Sequence, residues 1–117
     1  MDKQVALHLE LKVNDGQLET IKSVMAEMVE SAEKEEGTLG YEWFISEDES
    51  MVHVFERYLD SDAAAVHGAN VMPLLPKMIS AVQVVKATAF GEPSDEYRQR
   101  MASMGAEWFG TLGGFVR

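Results

Sequence analysis

The stretch from Gly37 to His67, GTLGYEWFISEDESMVHVFERYLDSDAAAVH, constrains the rest of the chain more than any other. It reads as two strands joined by the acidic turn Glu47-Asp48-Glu49-Ser50 and running into a short helix that carries a histidine. Both strands are apolar or aromatic on both faces. Leu39, Tyr41, Trp43 and Ile45 alternate with Phe44 on the first, and Val52, Val54 and Tyr58 alternate with Phe55 on the second. A hairpin with one side in water shows one polar face, so each side of this one needs cover.

The flanking segments supply cover for one side. Val5, Leu7, Leu9, Leu11 and Val13 alternate with Gln4, Ala6, His8, Glu10 and Lys12, the period-two pattern of a strand with one buried face. After Asn14-Asp15-Gly16, where Asn14 or Asp15 can cap a helix, Leu18, Ile21, Val24, Met25, Met28, Val29 and Ala32 recur at three- and four-residue spacing. This predicts an amphipathic helix over 17–35, with Glu27, Glu30, Glu33, Lys34, Glu35 and Glu36 on its polar face and Gly37 as its stop. Acidic residues in the last turn oppose the helix dipole and predict fraying there.

Within the hairpin, pairing Ser46 with Met51 sets Trp43 opposite Val54, Tyr41 opposite Glu56 and Leu39 opposite Tyr58. One face then carries Tyr41, Trp43, Glu56 and Tyr58, and the other Phe44, His53, Phe55 and Arg57. Asp60 and Ser61 suit the cap of a short helix over 62–67, broken at Gly68. Pro73 and Pro76 leave a loop with one irregular turn around Leu74–Ile79, and Ala81–Phe90 reads as the last strand. The order strand, helix, strand, strand, helix, strand defines a ferredoxin-like α+β fold, a four-stranded antiparallel sheet with helices on one face. Helices on one face leave the other apolar face of the hairpin open, and a second copy of the sheet would cover it, giving a homodimer.

The chain divides at about residue 91. Beyond Pro93, Ser94 caps a helix to about Ser103, and the end, GAEWFGTLGGFVR, is too apolar for a free tail. Its glycines argue against a regular element, so residues 92–117 are expected to be a helix followed by a docked irregular segment.

Bulk properties limit the partners. The net charge of −10, from 20 acidic and 10 basic residues, leaves no basic patch for phosphates or an anionic bilayer, which disfavours nucleic acid and membrane surfaces. The absence of cysteine excludes thiolate catalysis, disulfides and iron–sulfur clusters, and three scattered histidines without carboxylates at ligand spacing do not form a metal site. The start lacks the apolar core of a signal peptide and no apolar run approaches the ~20 residues of a membrane span, so the expected location is cytoplasmic.

The segments EEGTLGYEWFISED and VFERYLDSDAAAVH resemble the antibiotic biosynthesis monooxygenase (ABM) domain. The family pattern of a Gly-aromatic strand, a turn, Glu-x-aromatic and a histidine on the next helix is matched by Gly40-Tyr41, Glu56-Arg57-Tyr58 and His67. The resemblance implies a dimeric α+β barrel with one pocket per subunit between sheet and helices. It also implies oxygenation without flavin, haem or metal, in which a small aromatic or quinol-type substrate, once deprotonated, itself passes an electron to dioxygen. The aromatic after the glutamate, often Trp in the family, is Tyr58 here. Haem is disfavoured because a haem-degrading branch needs an Asn on the first strand, where His8 or Leu9 stands.

The implied chemistry makes His67 the base, Tyr58 a hydrogen-bond donor and Glu56 the group that orients His67 or a water, with Tyr41, Trp43 and Phe55 as pocket walls. The competing structural readings are a His67 that packs at a helix end against a backbone carbonyl, and a Glu56 satisfied by Arg57, Tyr41 or a backbone amide. Arg57 beside Glu42 reads as a cross-strand ion pair. The eight methionines suit either an adaptable core or a pocket for flat hydrophobic molecules. A non-catalytic dimer that binds a hydrophobic small molecule is the alternative to the enzyme.

Overall fold

The computed structural model describes residues 3–117. The elements are β1 (Val5–Val13), α1 (Leu18–Glu33), β2 (Thr38–Ile45), β3 (Met51–Tyr58), α2 (Ser61–Val71), α3 (Leu75–Ala81), β4 (Val82–Gly91), α4 (Asp95–Ser103) and β5 (Glu107–Phe109). They form one sheet in the order β2-β3-β1-β4-β5. The first four strands are antiparallel, and β5 adds a fifth, running parallel to β4. The fold is thus the ferredoxin-like α+β arrangement read from the sequence, extended by one short strand.

That extra strand corrects the expected irregular tail. The run Ala106-Glu107-Trp108-Phe109 holds no glycine, so three residues pair with Thr88–Phe90 before Gly110 ends the ladder. Trp108 packs edge-on against Tyr97 and donates from Nε1 to the Gly91 carbonyl at 3.2 Å. Leu112 and Phe115 are exposed within the single chain.

The alternation of β1 and β3 decides the core. Val5, Leu7, Leu11, Val52, Val54 and Tyr58 are buried on the face that meets the helices. One cluster joins Leu11, Val52 and Val54 to Ile21, Val24 and Met28 of α1 and to Val71 and Met78 of the α2–α3 segment. A second joins Val5, Leu7 and Tyr58 to Ala64 of α2 and to Tyr97 and Met101 of α4. Glu35, expected within α1, lies beyond its end at Glu33, and the helix start is capped by no side chain; Asn14 instead binds the Ser80 carbonyl.

Three local differences from the sequence reading have physical causes. The hairpin keeps Trp43 opposite Val54 and Tyr41 opposite Glu56, but a bulge between Thr38 and Gly40 sets Thr38, not Leu39, opposite Tyr58. Helix α2 runs through Gly68 to Val71, where burial of Val71 and bonding of Asn70 outweigh the roughly 1 kcal/mol penalty of an internal glycine. The segment after it is a 3-10 turn at Met72–Leu74 and then α3, each with its proline in the first turn, where a missing N–H leaves no helical bond unmade.

Two glycines are tied to close approaches. A Cβ on Gly37 would lie 2.5 Å from the Ala63 Cβ, so the start of β2 rests directly on α2. Gly91 has φ of +111° and its Cβ would meet the Gln4 carbonyl oxygen at 2.4 Å. Gly91→Ala is expected to cost about 1–3 kcal/mol from backbone strain alone, read as a lower urea midpoint with an unchanged slope.

Candidate functional site

The side chain of His67 hangs from α2 because Asp60 starts that helix in register, its carboxylate accepting from the Ala63 N–H at 2.8 Å. His67 is then six residues inside an alanine-rich helix, and its ring is buried against the sheet. The rings of Tyr41 and Tyr58 flank it at centroid distances of 4.8 and 5.3 Å.

Two carboxylates bracket the ring. Nδ1 lies 2.8 Å from Glu35 Oε1 and Nε2 lies 3.8 Å from Glu56 Oε1. Side-chain exposure is only 6% for His67, 5% for Glu35 and 8% for Glu56, so these charges meet with little water between them. Glu35 also accepts from Thr38 Oγ1 at 2.7 Å and from Asn70 Nδ2 at 2.8 Å. Burial alone would push its carboxyl up, but the bonds from Asn70, Thr38 and His67 together hold it below the usual carboxylate range. An ionised Glu35 requires Nδ1 of His67 to carry the proton, which leaves Nε2 as the basic nitrogen.

Glu56 is shifted in the opposite direction. Burial raises it, against the hydrogen bond it accepts from the Tyr58 hydroxyl and the nearby His67, and the Glu35 charge raises it further. Tyr58 is itself pushed up by burial and by Glu56, so it remains a neutral phenol. Two carboxyl groups shifted in opposite directions across one imidazole can hold an acid and a base side by side.

The sign of the Glu56 shift has a measurable consequence. Its native form favours the proton, so that contribution to stability is full below the unfolded value and is lost as pH rises through the native value. Glu56→Gln keeps the shape without the charge. Its urea midpoint relative to wild type is expected to rise as pH increases above the ordinary carboxyl range, and a constant difference would contradict the assignment.

Of the residues singled out in the sequence, the fold brings His67, Glu56, Tyr58, Tyr41 and Trp43 to the helix-facing side. Phe55 lies on the opposite side, stacked on His8 at 4.2 Å and edge-on to Phe44 at 5.9 Å. His8 and His53 share that outer face, with Nε2 and Nδ1 2.9 Å apart. Arg57 donates to Gln4 Oε1 at 3.3 Å, not to Glu42. Neither of the structural partners expected for His67 and Glu56 is the one found: His67 binds a carboxylate rather than a backbone carbonyl, and Glu56 binds Tyr58.

Glu35 was read in the sequence as part of a solvated acidic face. It turns inward because α1 ends at Glu33 and the chain then descends onto Ala63 through Gly37. That glycine, three residues before the Gly40-Tyr41 pair, was the available signal. Two surface cavities stand out, and neither borders His67. One is lined by Phe44, Ile45, Ser46, Met51, His53 and Phe55, the other by Asp95, Arg98, Gln99 and Ala102 of α4.

Comparison with known proteins bears on the fold and the family. The family profile described as antibiotic biosynthesis monooxygenase (ABM) matches residues 4–71, more than half of the chain. A search of curated proteins with this chain finds no match. Among solved structures, MupZ from Pseudomonas fluorescens superposes with a TM-score of 0.86 at 22% identity, over 98% of this chain and 95% of that one. Rv0793 from Mycobacterium tuberculosis gives 0.67 at 18% identity, over 74% and 92%. SnoaB from Streptomyces nogalater, described as a cofactor-independent oxygenase, gives 0.66 at 15% identity, over 75% and 91%. At such identities the structural likeness speaks to fold. The profile match over β1 to α2, the segment that carries Glu35, Glu56, Tyr58 and His67, goes further: the chain belongs to the antibiotic biosynthesis monooxygenase family.

Proposed function

We propose that the protein is a cofactor-independent monooxygenase of a small aromatic or quinol-type substrate. The observation that carries the reading is the buried series Glu35–His67–Glu56–Tyr58, with its carboxyl groups shifted in opposite directions around one basic nitrogen. The fold of the cofactor-independent oxygenase SnoaB supports it by analogy.

In this reading His67 Nε2 removes a proton from a phenol or from an acidic carbon beside a carbonyl. The anion passes one electron to dioxygen, and the resulting radical pair joins to a peroxide on carbon, which takes the proton back from His67 as a hydroperoxide. Loss of water leaves a carbonyl. One oxygen atom enters the substrate and the other leaves as water, and the electrons that reduce it come from the substrate. Glu35 holds His67 in the required tautomer. Tyr58 acts through Glu56 as a positioning residue, and Tyr41 and Trp43 form a wall beside the base. Phe55, on the outer face, would border the substrate only from a neighbouring subunit.

A second copy is the proposed cover for the outer face. Phe44, Phe55 and Phe90 are 51, 44 and 39% exposed there, large apolar groups on a face they share with His8 and His53. Phe55→Asp is expected to shift the protein from dimer to monomer in sedimentation velocity with little loss of stability, since the side chain is already half exposed within one chain. A wild-type monomer at micromolar concentration would remove this part of the proposal.

The same burial that strengthens the site favours the alternative of a binding module without catalysis. Oxygen consumption with a panel of dihydroquinones and anthrones, followed by product analysis under isotopically labelled dioxygen, decides between them. Label in the product with wild type supports the enzyme; tight binding without uptake for every compound supports the module.

A further inference from the structure

Beside the base, on the edge strand β2, are two hydrogen-bond donors without adequate acceptors. Trp43 Nε1 is buried and has no hydrogen-bond partner of ordinary geometry. The Tyr41 hydroxyl stands near enough for the indole N–H to favour its ionised form, but that hydroxyl spends its own proton on Met28 Sδ at 3.7 Å. A thioether is a weak acceptor, and a buried N–H without an acceptor costs free energy that an arriving oxygen would return. The two rings meet edge-to-face at 5.9 Å, and Tyr41 is also in ring contact with His67 at 4.8 Å.

We propose that Tyr41 Oη and Trp43 Nε1 form a two-donor subsite for one carbonyl or phenolic oxygen of a flat aromatic ligand, placing that oxygen next to His67. Three further features fit this role. Burial, then the charges of Glu56 and Glu35, raise Tyr41, so its hydroxyl stays a donor even beside an oxyanion. The two rings are only partly buried and stand on the edge strand, whereas Glu56 and Tyr58 are enclosed. Met25 and Met28 pack in the same cluster, and unbranched thioether side chains can move aside for a planar ring. An oxygen seated here would replace Met28 Sδ as the acceptor of Tyr41 and satisfy Trp43 at the same time. Discrimination would then rest on the ligand's oxygen, since an analogue without it leaves both donors unpaired.

The ligand class rests on the oxygenase reading, and the test separates the two. Binding of menadione and of methylnaphthalene, which has no oxygen, is measured by titration calorimetry with the full chain; with no cysteine present, no thiol can trap the quinone. Wild type is expected to bind menadione more tightly than methylnaphthalene. Trp43→Phe and Tyr41→Phe are each expected to weaken menadione about ten-fold while leaving methylnaphthalene unchanged. In wild type the indole N–H resonance of Trp43 should move downfield on adding menadione, with that of Trp108, already bonded to Gly91, as the fixed reference. Equal losses for both probes, no preference for menadione in wild type, or an unmoved Trp43 resonance would each overturn the subsite. Failure of oxygen uptake with every phenol, while the menadione preference and its loss in both variants persist, would remove the oxygenase reading and leave the subsite standing.

Discussion

His67→Ala is expected to lower the rate of oxygen consumption by about 10²–10⁴-fold with any phenol that the wild type oxidises, the range for loss of a positioned general base. The effect should fall on kcat more than on KM, because Nε2 acts on the proton in transit and adds little to binding of the ring. Two features of the geometry sharpen the expectation. Glu35 fixes the tautomer, so Glu35→Gln should lower the rate while leaving the histidine in place. Raising the pH should partly rescue His67→Ala with a phenol, since solvent then supplies the anion. A His67→Ala protein that retains full activity would remove His67 from the chemistry and return it to packing.

The largest expected stability loss is at Glu35. One carboxylate accepts from His67, Thr38 and Asn70, and so ties the end of α1 to β2 and α2. Glu35→Ala leaves the buried His67 Nδ1–H and the partly buried Thr38 hydroxyl without their acceptor, while the exposed Asn70 amide turns to water, and is expected to cost about 2–4 kcal/mol. The pH dependence gives a second, independent reading. The native value of Glu35 is depressed, so its stabilisation is complete above the unfolded value and is lost as pH falls through the native one. Wild type should therefore lose stability on acidification with a steeper slope than Glu35→Ala. Parallel slopes in urea melts across the acid range would show that the carboxylate does not carry these bonds.

Legibility in the sequence followed the range of the interactions involved. Period-two alternation in β1 and β3, the three-and-four spacing of α1, and the caps Asp60 and Ser94 are local signals, and each element begins close to where its signal predicts. The Tyr41–Glu56 and Trp43–Val54 pairs were also readable, because a short turn leaves little freedom of register. Elements held mainly by distant contacts were misread. Gly68 is a poor helix residue by propensity, yet α2 passes through it because Val71 is buried and Asn70 is bonded to Glu35. The fifth strand exists because β4 offers an unpaired edge to three residues that, taken alone, show little preference.

The chemistry divides along the same line. The resemblance pointed to His67, Glu56 and Tyr58, and strand alternation already turned Glu56 and Tyr58 to the same side. Glu35 was not, since its residue type and its neighbours Glu33, Lys34 and Glu36 are those of a solvated helix end. Only the folded chain brings it to His67, 32 residues away, through the contact of Gly37 with Ala63. The opposite shifts of Glu35 and Glu56 are likewise tertiary properties. Each depends on how many donors surround a carboxyl group and how little water reaches it, and residues from α2, β2, β3 and the α1–β2 loop set both quantities at once.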